Sequence, residues 1–181
     1  FMFDAVHREG ILETALSEDT NSPPPASLLN SIGFLLEQFA RPMISGPVMP
    51  ILVTKPLRGA GASLLVKAMQ TVVEGKTSSR MLTRSEDERR KAVFTALQAN
   101  VGIMYWDNVA GSVDSQVLAT LFSEPTFTDR ILGRSAEREL PVRCSFAFSG
   151  NRPLFSDELR RRLNLININP MCANPEAREG F

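Results

Sequence analysis

The chain has 181 residues, 43% of them apolar, with twenty basic and twenty acidic side chains that cancel to zero net charge. That is enough to bury one sizeable core and a small helical appendage, but not two full domains. The charge balance excludes the uniformly basic surface of a dedicated nucleic-acid-binding domain, and no apolar run reaches the roughly 18 residues that span a bilayer.

Cys144 and Cys172 lack the C-x-x-C spacing of metal and redox sites, which predicts reduced thiols. The one histidine, His7, is read as a solvated helix residue. "FMFDAVHREG" carries an aspartate where a signal peptide is apolar, so a cytoplasmic location is expected. The abrupt close at "EAREGF" suggests an excerpt of a longer protein.

In chain order, the proline run Pro23–Pro25 leads to Ser27, which is placed to cap a helix. Leu28, Leu29, Ile32, Leu35, Leu36 and Phe39 recur on it at helical spacing until Pro42 stops it. "ILVT", residues 51–54, is a short, wholly apolar β run of the kind buried on both faces of a parallel sheet. A glycine-bearing turn follows. Leu64, Leu65, Ala68, Met69, Val72 and Val73 then trace a helix face ending near Gly75.

A weak strand is predicted over Arg80–Thr83. Ser85 and Glu88 form a capping box for a helix reaching Asn100. "GIMYWDN", residues 102–108, is an apolar strand ending on an acid, and Asp114 is placed to cap a helix with Val117, Leu118, Leu121 and Phe122 inward. Two β-prone arms flank Gly133–Ala136 and predict a hairpin with Arg134 near its tip. "CSFAFSGN" is a further strand that breaks at Asn151. Ser156 opens a short acidic-to-basic helix through Arg160–Arg162, and "LNLINI" closes the pattern. Strands alternating with helices predict an α/β fold with a parallel, helix-covered sheet.

The stretch "TKPLRGAGAS" has the place and shape of a phosphate-binding loop, G-x-x-x-x-G-K-[ST], between a strand and a helix. Pro56 sits at the first glycine, Gly61 at the second, Ala62 at the lysine and Ser63 at the metal-binding hydroxyl. Backbone amides and a helix N-terminus do most of the holding in such loops. Lys55, Pro56, Arg58, Gly59, Ala60, Gly61, Ala62, Ser63 and Leu64 are therefore the candidate nucleotide-binding residues. A turn shaped by glycine for geometry alone is the competing reading.

Asp107 ends its strand where open parallel sheets bind ligands. It is placed to hold Mg²⁺ through water while Ser63 supplies a hydroxyl ligand, or it is an ordinary strand end with an exposed acid. Asn108 follows it. Asn151 is placed to direct a water toward a γ-phosphate or is simply a turn residue. One of Arg160, Arg161 and Arg162 is placed to reach a neighbouring subunit's nucleotide, or the three are dipole partners at a helix end.

The succession of glycine loop, strand ending in Asp-Asn, "TFTDRILGRSAERELP", "SGN" and "LRRRLNLIN" resembles an AAA+ ATPase domain of phage- and plasmid-type primase-helicases, within the superfamily 3 helicases. The resemblance runs from about Ser27 to the end. It implies a three-layer P-loop NTPase fold with a central, mostly parallel five-stranded sheet, a pre-sensor β-hairpin and an N-terminal helical lead-in. It divides the chain into a lead-in (1–46), the ATPase core (47–170) and the start of a C-terminal extension (171–181).

It also implies ATP and Mg²⁺ as cofactors, single-stranded or double-stranded DNA as partner, and a homo-oligomeric ring. The glycine loop then stands as Walker A, Asp107 as Walker B, Asn151 as sensor 1, and Arg134, in the Gly133–Glu137 turn, as a DNA contact. Two departures stand out: Ala62 replaces the Walker A lysine and Asn108 the second Walker B acid. These favour an alternative in which the degenerate site merely holds nucleotide, or nothing, and the fold serves as an assembly or DNA-docking module. A small-molecule kinase is disfavoured by the hairpin and the arginine run.

Overall fold

A computed structural model describes residues 26–55, 59–130 and 137–168. Its elements are α1 (Ala26–Ala40), a 3-10 turn (Arg41–Met43), β1 (Ile51–Thr54), α2 (Ala62–Glu74), α3 (Glu86–Gln98), β2 (Ile103–Val109) and β3 (Ser112–Val113). They continue with α4 (Gln116–Leu121), β4 (Thr126–Arg130), β5 (Glu137–Pro141), β6 (Ser145–Gly150), β7 (Leu154–Phe155), α5 (Asp157–Arg160) and β8 (Asn164–Asn167).

The centre is a parallel sheet in the order β2-β6-β1-β8. β1, β2 and β6 are largely apolar and buried because both faces are covered, as parallel sheets require, whereas the edge strand β8 buries only Ile166. Ile51, Val53, Ile103, Tyr105, Ala147 and Ile166 face α1 and α2. Leu52, Met104, Trp106, Phe146 and Phe148 face α3, α4 and α5. On this second side Trp106 stacks on Phe148 with centroids 4.8 Å apart, and Phe155 meets Phe148 edge-on.

The chain is thus α/β with three layers. Where five strands are expected, the described residues form four. The Arg80–Thr83 segment contributes one bridge residue: Arg80 pairs in parallel with Trp106 through bonds to Tyr105 and Asp107. Pairing stops there: Met81 is exposed and Leu82 packs against the core instead of extending the ladder. The predicted hairpin is present as an antiparallel β4–β5 pair, Phe127 opposite Leu140. Its tip, with Arg134, lies outside the described residues, as do His7 and Cys172.

Three local expectations are corrected. Ser27 lies inside the first turn of α1 and does not cap it; its hydroxyl accepts from the Asn167 amide, tying α1 to β8. Ser115 caps α4 in place of Asp114, accepting from the Leu118 amide at 3.2 Å. Ser156 stands at the start of α5 without a side-chain cap bond.

The largest difference concerns the facing of α1. Leu29, Ile32, Leu36 and Phe39, expected inside, are exposed, and the helix buries Phe34, Ser31 and Gln38 instead. Ser31 and Gln38 satisfy their polar groups on backbone carbonyls four residues earlier, and Glu37 accepts from the Ser145 hydroxyl. Phe34 joins the same apolar cluster as Leu65, Val66 and Ile166, so the described part of the lead-in belongs to the core. No described helix is long and apolar enough to cross a membrane.

Candidate functional site

The carboxyl ends of β1, β6 and β2 lie side by side, since Thr54 pairs with Gly150, and Gly150 with Val109. The connection leaving β1 runs through α2 on one face of the sheet, whereas those leaving β6 and β2 run to α5 and α4 on the other. β1 and β6 therefore flank a topological switch point, the place where open α/β sheets leave a crevice. The Lys55 amide, donating to the Gly150 carbonyl at 3.3 Å, marks its floor.

α2 begins there. Gly61 precedes it with φ of +93°, a left-handed conformation that side-chain-bearing residues rarely adopt, and its carbonyl accepts the first helical bond from Leu65. The amides of Ala62, Ser63 and Leu64 are thus left at the head of a 13-residue helix with no acidic side chain in its first turn. Gly59 also has positive φ, at +73°. Pro56, Leu57 and Arg58 lie outside the described residues.

Ser63 is where the loop meets the sheet. Its hydroxyl donates to Asp107 Oδ1 at 2.8 Å across 44 positions of sequence. The same oxygen accepts from the Ser149 hydroxyl at 2.6 Å and from the Asn108 amide at 2.8 Å. Behind them the buried Tyr105 hydroxyl lies 2.7 Å from Ser149 Oγ. Burial acts to raise the Asp107 carboxyl, but hydrogen bonds from Ser149, Ser63 and the Asn108 amide, with the Tyr105 hydroxyl close behind them, outweigh it, so it stays below its usual value and ionised at neutral pH. Burial raises Tyr105, which stays protonated.

The backbone is bent at the same point. The β2–β6 register shifts between Trp106 and Val109, and Asn108 sits at φ of +55°, which asparagine tolerates better than most residues. This bulge turns the exposed Asn108 side chain away from the ladder. Gly150 is held by contact: a Cβ there would stand 2.2 Å from the Val109 carbonyl. Asn151 follows at the exposed end of β6, and Arg152 after it has φ of +49°.

The structure therefore brings together Lys55, Gly61, Ser63, Asp107, Asn108 and the start of the Asn151 turn. It does not bring Ala62 or Leu64 in as side chains. Ala62 is fully buried in the cluster with Phe34 and Leu65, and Leu64 points to solvent. Arg162 is paired with Glu158 at 3.0 Å, and Arg160 and Arg161 are exposed. Among the described residues none of the three hydrogen-bonds the Asp107 cluster.

The described residues contain no group of three or more His, Cys, Asp or Glu able to cage a metal alone. One carboxylate and one hydroxyl fit Mg²⁺ differently: that ion keeps waters and borrows phosphate oxygens, so few protein ligands suffice. Beside the site, a cleft of about 800 Å³ runs between the Arg80 segment and the turn from Asp107 to Asp114.

Ser149 and Tyr105 are the site residues absent from the sequence reading. Their signal is period-two alternation, which puts Tyr105 on the face of Asp107, and Ser149 two residues before Asn151. Using it requires knowing that β2 and β6 are neighbours. Comparison of the chain with protein-family models and with curated proteins gives no match.

Proposed function

We propose that this chain is a nucleotide-binding P-loop domain of the AAA+ type, similar to the superfamily 3 helicases, in which residues 55–64 hold the phosphates of ATP. The observation that carries the reading is the Ser63–Asp107 hydrogen bond. It joins the head of a helix that follows a glycine turn to the carboxyl end of a neighbouring parallel strand, where a Mg²⁺-nucleotide needs its hydroxyl and its carboxylate. When bound, the cation would neutralise the phosphates and tie them to these two residues.

The protein's own part is positioning. The α2 amides and Gly59–Gly61 backbone bind phosphate oxygens, Ser63 and Asp107 hold the cation, and Asn151 orients a water at the phosphate end. In the fuller form of the reading the domain is a ring-forming, DNA-dependent helicase or translocase motor in mobile-element replication. Arg134 contacts DNA, and one of Arg160, Arg161 and Arg162 reaches a neighbour's nucleotide.

A second reading, a module that binds nucleotide without turning it over, is favoured by two particular residues. Ala62 is packed into the core, so no lysine reaches the phosphates from that position. Asn108 offers an amide where a second carboxylate would polarise water, and the loss of a general base costs about a hundred- to ten-thousandfold in rate. Titration with a fluorescent ATP analogue, then phosphate release with and without single-stranded DNA, separates the two. Binding with DNA-stimulated release supports the motor; binding without release supports the module; no binding contradicts both.

A further inference from the structure

We propose that Tyr105 and Ser149 are positioning residues, a two-hydroxyl relay that fixes the Asp107 carboxylate so that its second oxygen is left for the cation. The inference rests on the nucleotide reading above and adds to it two residues that neither loop nor strand motif contains.

The direction of the relay follows from its chemistry. A carboxylate only accepts, so Ser149 donates its single proton to Asp107 Oδ1 at 2.6 Å. Ser149 Oγ is then an acceptor toward its other neighbour, and the Tyr105 hydroxyl, 2.7 Å away, is the donor. Each bond polarises the next, so the pair acts as one unit.

Both side chains are buried, and Tyr105 is the chain's single tyrosine. A core position with no polar task is as well served by phenylalanine, the residue used at Phe146 and Phe148 in the adjoining strand. Burying a hydroxyl without a hydrogen bond costs free energy, and here both hydroxyls are bonded in a chain that ends on an acid.

The consequence lies in how Asp107 is divided. Oδ1 accepts from Ser149, Ser63 and the Asn108 amide, whereas Oδ2 accepts from no described residue. Ser63 has a second task at the phosphates. Ser149 and the Asn108 amide, which do not, hold the carboxylate's rotation when Ser63 turns from it.

The test uses Tyr105→Phe, Ser149→Ala and the double variant, each lacking only hydroxyls, with melting curves to confirm that they fold. Affinity for a non-hydrolysable fluorescent ATP analogue is measured in Mg²⁺ and in EDTA. Each single variant is expected to lose about three- to tenfold of the affinity in Mg²⁺, the size of one hydrogen bond, with no loss in EDTA. The double variant is expected to match Ser149→Ala alone, because the relay is one chain.

An unchanged Mg²⁺-dependent gain, equal losses in the two buffers, or additive losses would each overturn the relay while leaving the nucleotide reading standing. A wild-type protein with no Mg²⁺-dependent binding would overturn both.

Discussion

Ser63 shows how much one hydroxyl organises. It closes the gap between the glycine turn and β2 by its bond to Asp107, and substitution by alanine removes one of three donors from Oδ1. Hydrogen bonds to a charged group contribute about 1.5–3 kcal/mol, so Ser63→Ala and Asp107→Ala are each expected to reduce Mg²⁺-nucleotide affinity by at least tenfold. Calorimetric titration checks this, and unchanged affinity would contradict the site. The Asp107 carboxyl, held below its usual value, also sets a pH dependence. A depressed folded-state value means that its contribution to stability is present above the ordinary aspartate range and is lost as pH falls through the folded value. Wild-type stability is therefore expected to fall more steeply below about pH 4 than that of Asp107→Asn, as read from denaturation midpoints across the acid range. Cys144 is opposite in character: burial pushes its thiol up to about 12, so its peptide is expected to stay unalkylated at pH 8 until the protein is unfolded.

At the scale of elements, two positions decide whether the site is assembled. Gly150 allows the end of β6 to pass under the Val109 carbonyl, where a methyl group has no room. Gly150→Ala is expected to cost about 1–3 kcal/mol or more and to displace Asn151, which a chemical-denaturation curve together with the nucleotide titration would show. α1 offers a contrast within one helix. Phe34→Ala empties a buried site and is expected to cost about 3–5 kcal/mol, whereas Phe39→Ser, on the exposed face, is expected to stay within about 0.5 kcal/mol. A larger cost for Phe39→Ser than for Phe34→Ala would mean that the helix faces the other way.

That contrast shows where the sequence is legible. The first three residues of "ILVT" are apolar and buried, and the structure places a strand on those same four residues because a doubly covered strand satisfies such a run. Ser85 caps α3 as expected, accepting from the Glu88 amide, since the capping interaction is local in the chain. α1 is different because leucine, isoleucine and phenylalanine surround most of its circumference. Periodicity does not choose between two apolar faces; the neighbouring β8 and α2 do. The same limit hid Ser149 and Tyr105, whose role depends on which strands adjoin.

For the whole molecule, the sheet, two helical layers and switch point place one crevice at the carboxyl ends of β1, β6 and β2. The central claim is that this crevice holds a triphosphate over the Lys55–Leu64 backbone, facing Asp107. Backbone amide chemical shifts recorded by two-dimensional NMR during titration with Mg²⁺-ATP test it most directly. The account predicts that the amides of Gly59–Leu64, Asp107, Asn108 and Ser149–Asn151 move together and saturate at one affinity, while those of β4 and β5 stay still. Saturating shifts confined to other surfaces, or no shifts at millimolar nucleotide, would contradict it.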